Sequence, residues 1–179
     1  MSTFRVGSTV IHKSHGLGKI IDIVEREFTP GQYAQFYLME AFDKGIPKRI
    51  FVHMESSKDR LRALTPVQDL HNVLAHITKG ITHPLTGTFR GKFQTYLEHM
   101  SSGKLEEIAF VFGSMLSKDT PLSFGEMKLK DNALKRLAEE IAIVLKVDEG
   151  KIVAALLENK LKIRNLTDGL IKKVQVEGV

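Results

Sequence analysis

The spacing of apolar residues changes near residue 65. Before that point, β-branched and aromatic residues occur in short runs separated by glycine and proline, which is typical of short strands. A turn is predicted at Thr29–Gln32, because proline fixes one φ angle and the glycine after it supplies a positive one. The predicted strands cover residues 6–11, 19–27, 35–42, 48–54 and 60–64. Short strands in this number suit a small barrel, which leaves no exposed edge, so residues 1–65 are predicted to form a small all-β barrel.

From Pro66 onward, apolar residues recur at the helical period of 3.6. The first predicted helix follows Thr65 as its N-cap and stops at Gly80, which leaves residues 81–88 as a loop. Further helices are predicted over residues 89–103, 105–116, 123–145 and 148–157.

Helix-capping residues support the later helices. Ser123 and Glu126 have the spacing of a capping box, and Asp148 is a suitable N-cap for the last helix. Amphipathic helices of this length form a compact bundle, predicted over residues 66–159. Residues 160–179 show no clear period and are left unassigned. The predicted fold is therefore α+β in two parts, a small N-terminal barrel followed by a C-terminal helical bundle.

Composition narrows the function classes. The chain has no cysteine, which excludes disulfides, thiolate nucleophiles and cysteine-based metal sites. No apolar run approaches the roughly 20 residues of a bilayer span, and the N-terminus lacks the apolar segment of a signal peptide, so we expect a cytoplasmic protein without membrane contact. The net charge of +5 favours polyanionic partners only mildly. Because no segment is a polybasic arm, any nucleic-acid contact must come from a shaped surface.

The sequence offers little catalytic or metal-binding chemistry. His12 and His15 lie beside a glycine turn, but zinc needs three or four convergent ligands, so we interpret both as partly solvated loop histidines. The two glycines of His15–Lys19 are separated by one residue. A phosphate-binding P-loop has four residues between its glycines and is followed by a helix, so this segment is not interpreted as a P-loop. No nucleophile elbow occurs. We predict that the protein is not an enzyme and has no catalytic residue, metal or cofactor.

Several local sequences, in this order, resemble the CarD–CdnL family of bacterial transcription regulators. In the N-terminal half the resemblance is carried by residues 4–11, 15–18, 35–38 and 49–52. In the C-terminal half it is carried by Phe93–Gly103 and Leu122–Lys128. The resemblance covers about residues 4–158, and the family shares its N-terminal module with the transcription-repair coupling factor.

The resemblance implies a mechanism. In this family a Tudor-like N-terminal module docks on the β-subunit lobe of RNA polymerase, and the helical module touches promoter DNA at the upstream edge of the melted bubble. We therefore expect a monomeric transcription regulator that stabilises the open complex and contacts promoter DNA largely independently of sequence. Two alternatives stay open: a polymerase-binding module without DNA contact, and an RNA- or ribosome-associated binding protein.

For the polymerase side, the resemblance indicates Arg26, Arg49 and Phe51. Arg26 stands at a basic position that the family uses. A related pattern is Val-Arg-Val-Pro, whereas this chain has Phe51, Val52 and His53 there, with the arginine displaced to Arg49. The alternative interpretations are a solvated strand arginine for Arg26 and a barrel-core residue for Phe51.

For the DNA side, the family characteristically has a tryptophan at the start of the second helix, wedged against an unpaired base. This chain has no tryptophan, and Phe89 falls at that position. A phenyl ring still inserts apolar surface at a broken base step, but it offers less stacking area, so we expect a weaker wedge. Arg90 and Lys92 flank it and would meet phosphates, and Lys128 and Lys130 would extend the basic surface. The alternatives are packing of Phe89 on the phenylalanine one turn later, and lysines that are merely solvated.

Overall fold

A computed structural model describes residues 4–43, 46–83 and 85–158. The chain divides into two compact units, one ending at Leu64 and one beginning at Thr65, and each has its own apolar core. The N-terminal unit contains strands β1 (Thr9–His12), β2 (Gly16–Thr29), β3 (Gln32–Asp43), β4 (Ile46–His53) and β5 (Leu61–Arg62). The C-terminal unit contains helices α1 (Leu70–Thr82), α2 (Phe89–Ser102), α3 (Leu105–Leu116), α4 (Phe124–Leu145) and α5 (Glu149–Glu158). The α+β class is as predicted, and residues 160–179 lie outside the described part.

The five strands form one antiparallel sheet in the order β4-β3-β2-β1-β5. The predicted barrel is not confirmed, because β4 and β5 lie at opposite ends of this order and do not pair within the described residues. The reason lies in β5, which has two residues and pairs with β1 alone. So short a strand offers β4 no ladder of backbone donors and acceptors on which to close.

Alternation along the strands separates two faces of the sheet. Tyr37, Met39 and Ala41 of β3 are buried on one face, together with Val10, Ile20, Val52 and Leu61 from the other strands. The intervening residues of β3 point to the opposite face, called here the outer face. Phe36, Leu38 and Glu40 of β3 are half-buried on this face.

The sequence places the turn between β2 and β3 correctly, whereas the ends of the strands differ from the predicted ones by one to three residues. The predicted turn at Thr29–Gln32 joins β2 to β3, with Gly31 at a φ of 77°. The first strand, however, starts at Thr9 rather than at residue 6. Gly7 takes a φ of 92° and donates its N–H to the carbonyl of Ile20, so the chain turns there before β1 begins.

Four of the predicted helices are confirmed, and three of them have the predicted capping residues. Gly103 ends α2 in the left-handed conformation, at a φ of 72°. Ser123 and Glu126 form the complete capping box at the start of α4. Asp148 accepts a hydrogen bond from the N–H of Lys151, as an N-cap does.

Both predicted ends of α1 are wrong. The helix begins at Leu70, after a 3-10 turn at Val67–Asp69, rather than directly after Thr65, and it continues past Gly80 to Thr82. Gly80 is instead a packing residue: a Cβ there would lie 2.2 Å from the carbonyl oxygen of Phe110 in α3. Gly113 has the reciprocal role, since its Cβ would lie 2.0 Å from the carbonyl oxygen of Ile77 in α1. The two glycines let the α1 and α3 backbones touch.

A buried carboxylate holds the beginning of the helical unit. Glu140 of α4 accepts hydrogen bonds from both the backbone N–H and the hydroxyl of Thr65, each at 2.8 Å. The chain is thereby held to α4 before α1 begins. Over the described ranges, no helix combines the length and hydropathy needed to cross a membrane.

Candidate functional site

The outer face of the sheet collects the residues predicted for the polymerase side. Phe51 pairs with Leu38, and Arg49 pairs with Glu40, so both lie on the face opposite Tyr37 and Met39. Arg26 of β2 contacts Phe51, because its guanidinium carbon lies 4.1 Å from the centroid of the Phe51 ring. We call Arg26, Arg49 and Phe51 the sheet patch.

Phe51 is 43% exposed, so the alternative that it is a core residue is wrong. Its neighbour Val52 enters the core instead, because successive strand residues point to opposite faces. Arg26 is exposed, and it stacks on an aromatic ring rather than extending into solvent alone. A guanidinium over a ring keeps its donors free for a partner while its position is fixed.

The surface around the sheet patch carries charge of both signs, because Glu40 lies beside Arg49. Arg49 Nε lies 3.9 Å from the Glu40 carboxylate, and the arginine side chain remains 69% exposed. A pair this open contributes about 0–1 kcal/mol to stability, so it leaves the guanidinium available for an intermolecular contact.

Sequence reasoning missed an aromatic cluster beside the sheet patch. The rings of Phe28, Phe36 and His53 lie with centroids 5.1–6.3 Å apart. Phe36 and His53 pair across β3 and β4 on the outer face. The signal for this cluster was alternation in β3, since Phe36 lies one residue from the buried Tyr37.

The DNA-side residues lie at the N-terminal ends of α2 and α4. Phe89 is the first residue of α2, preceded by the N-cap Thr88, whose hydroxyl accepts a hydrogen bond from the N–H of Gly91. Phe89 is 56% exposed, and its ring stacks on that of Phe93 with centroids 5.9 Å apart. The alternative of packing on Phe93 is therefore confirmed as a contact, but the contact lies at the surface and not inside the core.

The two helix ends meet through Phe93. A Cβ on Gly125, the second residue of α4, would lie 3.2 Å from Cζ of Phe93, so the absent side chain makes room for this ring. The half-buried Phe93 also packs against the helical core. The ring therefore bridges the beginning of α2, the beginning of α4 and the interior.

The four basic residues predicted to contact DNA differ in their exposure to solvent. Arg90 and Lys128 are exposed, and Lys92 is half-buried. Lys130 is half-buried and lies two residues from Lys128 on the same helix, a spacing that places two side chains on different faces. Thus Lys130 does not share the surface of Lys128.

Sequence reasoning also missed Phe124. It is the first residue of α4 and, at 68%, the most exposed large apolar side chain among the described residues of the helical unit. The Nζ of Lys128 lies 4.4 Å from its ring centroid. The available signal was its position five residues before Leu129, off the buried stripe of the helix. We call Phe89, Arg90, Lys92, Phe124 and Lys128 the helical patch.

The one carboxylate in the first turn of α4, Glu126, forms an ion pair within the protein. Burial raises the pKa of Glu126, but hydrogen bonds from Lys118 and from Ser123 lower it more, so the net pKa lies below the ordinary value. Lys118 pairs directly with the ionised carboxylate. The first turn of α2 contains no acidic residue, and that of α4 contains Glu126 alone. The charges that the helical patch offers to solvent are therefore cationic.

The two histidines of the β1–β2 turn have a structural role. His12 is buried, not partly solvated as predicted, and its Nδ1 accepts hydrogen bonds from the N–H groups of Ser14 and His15. The ring thus stabilises the turn, and only His15 is exposed. Within the described part of the chain, no three histidine or carboxylate side chains come together as a metal site would require.

Comparison with known proteins gives matches over both units. Residues 4–77 match the model described as CarD-like/TRCF RID domain, and residues 72–157 match CarD, C-terminal domain. The chain is also similar to the "Putative transcription factor YdeB" of Bacillus subtilis (strain 168), with 24% identity over 154 residues. That alignment covers 83% of this chain and 97% of the Bacillus protein.

Proposed function

The chain belongs to the CarD family of RNA polymerase-interacting transcription factors, and from that premise we propose that it binds the polymerase β-subunit lobe and stabilises the promoter open complex. The sheet patch docks on the lobe. The helical patch contacts promoter DNA at the upstream edge of the melted bubble, largely independently of sequence. Proteins of this family are regulatory rather than enzymatic, and we place this one with the polymerase in the cytoplasm.

The observation that carries the polymerase part is the pairing of Arg26 with Phe51 on the outer face. Two residues proposed from resemblance, 25 positions apart in the sequence, lie in contact at 4.1 Å. Aromatic and arginine side chains dominate the energetics of protein interfaces, and this pair is already ordered before a partner arrives. The neighbouring pair of Arg49 and Glu40 offers both charges, which suits a protein surface.

The DNA part rests on a different combination of groups. Phe89 presents an apolar ring at a helix end, and Arg90 and Lys92 follow it in the same turn. Phosphate contacts by such cations position a protein without reading bases. A phenyl ring that meets an unpaired base gains contact only when the duplex is open, so binding favours the melted state.

Because the sheet unit and the helical unit are linked in one chain, two individually weak contacts are sufficient for stable binding. Because the two units belong to one chain, docking of one raises the effective concentration of the other at its target. A differential affinity of about 1.4 kcal/mol for the melted promoter raises the ratio of open to closed complexes about tenfold.

The experiment that tests the proposal measures both contacts separately. The protein should be retained by core polymerase and by the isolated β lobe. It should also bind a forked promoter DNA with an affinity that falls as salt rises. Three phosphate contacts give a log–log slope of roughly −2 to −3.

Other outcomes would redirect the proposal. A slope near zero together with intact polymerase binding would favour a polymerase-binding module without DNA contact, an alternative suggested by the phenylalanine at the tryptophan position. Co-purification with ribosomes instead of polymerase would contradict the proposal and favour an RNA-associated role.

A further inference from the structure

Building on the proposed function, we propose that Phe124 is a second base-contacting residue of the helical patch. Its ring stacks on an unpaired base of the melted DNA, next to the base met by Phe89. Lys128, which lies over the Phe124 ring, meets the phosphate of the same strand. The ligand is thus single-stranded nucleotide at the fork, held by two aromatic residues from two different helices.

Phe124 is not needed by the core. Three other phenylalanines of the helical unit, Phe93, Phe110 and Phe112, are buried or half-buried, and Phe93 packs against the core cluster. Phe124 instead exposes two thirds of its surface at the start of α4. Met127, one turn later, is also exposed, so the apolar surface extends along this helix end.

The backbone that carries Phe124 is rigidly held. The preceding Ser123 donates its N–H to Glu126 Oε2 at 2.9 Å, and its hydroxyl accepts from the Glu126 N–H at 3.4 Å. Glu126 is itself buried and paired with Lys118. A side chain on so fixed a backbone loses little entropy on binding, since it has only two side-chain torsions to order.

The Phe93 ring places Phe124 close to Phe89. The ring of Phe89 stacks on that of Phe93, and Gly125 lies so close to Phe93 that a Cβ at position 125 would contact its ring. Phe124 adjoins Gly125 in the chain. The two exposed rings therefore belong to one end of the helical unit.

Charge selects nucleic acid over a protein as the occupant. In the first turns of α2 and α4 the one acid is Glu126, which is buried and paired with Lys118, whereas Arg90 and Lys128 are exposed. Base–aromatic stacking tolerates any base, and an adjacent cation strengthens binding to a polyanion. An exposed ring with a lysine over it suits one nucleotide, with its base on the ring and its phosphate on the cation.

The absence of tryptophan from the chain allows a direct test. In Phe124→Trp, the introduced indole is a unique fluorophore at the proposed contact. Its emission should be quenched by a forked promoter DNA at the concentrations that saturate the wild type, and not by the fully paired duplex of the same sequence. Ile143→Trp, an exposed position towards the other end of α4, is the matched control and should not respond.

Affinity gives a second, independent readout. Phe124→Ala should weaken binding to the forked DNA about tenfold and change binding to the paired duplex less than twofold. Ile143→Ala should change neither by more than twofold. Phe124→Leu keeps apolar volume without a π face, so it should bind like the alanine variant. Thermal unfolding confirms that each variant is folded.

Three results would overturn the inference: an unquenched indole at saturation, an equal loss on forked and paired DNA, or full affinity in Phe124→Leu. These are distinguishable from failure of the proposed function. If the wild type itself shows no preference for forked over paired DNA, the DNA part of the proposed function fails. If Phe89→Ala removes that preference while Phe124→Ala leaves it unchanged, the proposed function stands and only the proposed role of Phe124 is wrong.

Discussion

The sheet patch and the helical patch use the same chemical pair in different settings. In each, a cation lies over an exposed phenyl ring: Arg26 over Phe51 at 4.1 Å, and Lys128 over Phe124 at 4.4 Å. The sheet patch arises from strand alternation and leaves Glu40 beside its second arginine. The helical patch arises where two helices begin.

The difference lies in the fate of the neighbouring carboxylate. Glu40 stays partly accessible, whereas Glu126 is buried and forms an ion pair with Lys118. A surface with both charges can match the mixed charges of a protein, while a surface with cations alone matches phosphate. Similar ring-and-cation pairs thus become suited to different partners through one nearby acid.

The largest expected effect separates the two units by disrupting the packing of α1 on α3, which supports the helical patch. In Gly113→Ala, the new Cβ would lie 2.0 Å from the Ile77 carbonyl oxygen, so the α1 and α3 backbones must separate. We expect the helical unit to lose at least about 3 kcal/mol of its free energy of unfolding. Forked-DNA binding should be lost, and polymerase binding should persist, because the sheet unit has its own core. Chemical denaturation followed by circular dichroism and a polymerase pull-down measure both effects.

The control for this prediction is Gly91→Ala in the first turn of α2. A Cβ there would meet the Thr88 hydroxyl at 3.2 Å and no backbone atom, so the free energy of unfolding should change by less than about 1 kcal/mol. Equal stability of the two variants would contradict the close packing of α1 on α3.

The charge asymmetry is tested by Glu126→Gln. This change removes the ionised partner of the half-buried Lys118, and we expect a loss of about 2 kcal/mol at pH 7. The pKa of Glu126 in the folded protein lies below its ordinary value of 4.5. The ionised carboxylate therefore contributes its full stabilisation of the fold above pH 4.5, and this contribution is lost as the pH falls through the folded-state pKa. The difference between wild type and variant should therefore shrink below about pH 4.5.

Denaturation curves at pH 7, 5 and 3.5 measure this difference. The exposed Glu149 provides the comparison, since Glu149→Gln alters charge in the first turn of α5 without removing an ion pair within the described residues. It should cost less than about 1 kcal/mol. A Glu126→Gln difference that stays constant with pH would count against the ion pair with Lys118.

A smaller effect should separate the patches by partner. Arg26→Glu reverses the cation over Phe51, and we expect binding to the isolated β lobe to weaken about tenfold, or about 1.4 kcal/mol. Binding to forked DNA should stay within twofold. Lys58→Glu makes the same charge change on the exposed turn after β4 and should leave lobe affinity unaltered. Unchanged lobe affinity in Arg26→Glu would remove the sheet patch from the interface.

The smallest expected effect concerns the stability contributed by Phe51. Because its ring lies on the outer face, Phe51→Ala should lower the free energy of unfolding by less than about 1 kcal/mol. Its neighbour Val52 is 1% exposed, and Val52→Ala should cost about 2 kcal/mol. Thermal denaturation of both variants measures the contrast, and a larger cost for Phe51 would show that it is a core residue after all.

Local features were predictable from the sequence. The capping box at Ser123 and Glu126, the end of α2 at Gly103 and the turn at Thr29–Gln32 depend on residues within a few positions of one another. The division of the chain near residue 65 followed from a change in the period of the apolar residues. Such features need no knowledge of what packs against them.

Other features were decided by residues far apart in the chain. The sequence predicts a helix stop at Gly80, yet Gly80 lies within α1, where the carbonyl of Phe110 occupies the space that a side chain would fill. The sequence predicts His12 as a loop residue, yet it ends β1, pairs with Leu61 of β5 and is buried. Within the described residues the sheet stays open, because β4 pairs with β3 and β5 with β1, and which strands pair depends on segments far apart in the chain.

The sequence by itself determined which segments are strands and helices, where most of them end, and that cations and aromatic rings lie near both candidate contacts. Only the tertiary structure decided which of those groups meet. Periodicity records the direction of a side chain relative to its own helix or strand, but contact between Arg26 and Phe51, or between Phe93 and Gly125, depends on how separate elements pack. Packing is set by the shapes of both partners at once, and no single segment contains that information.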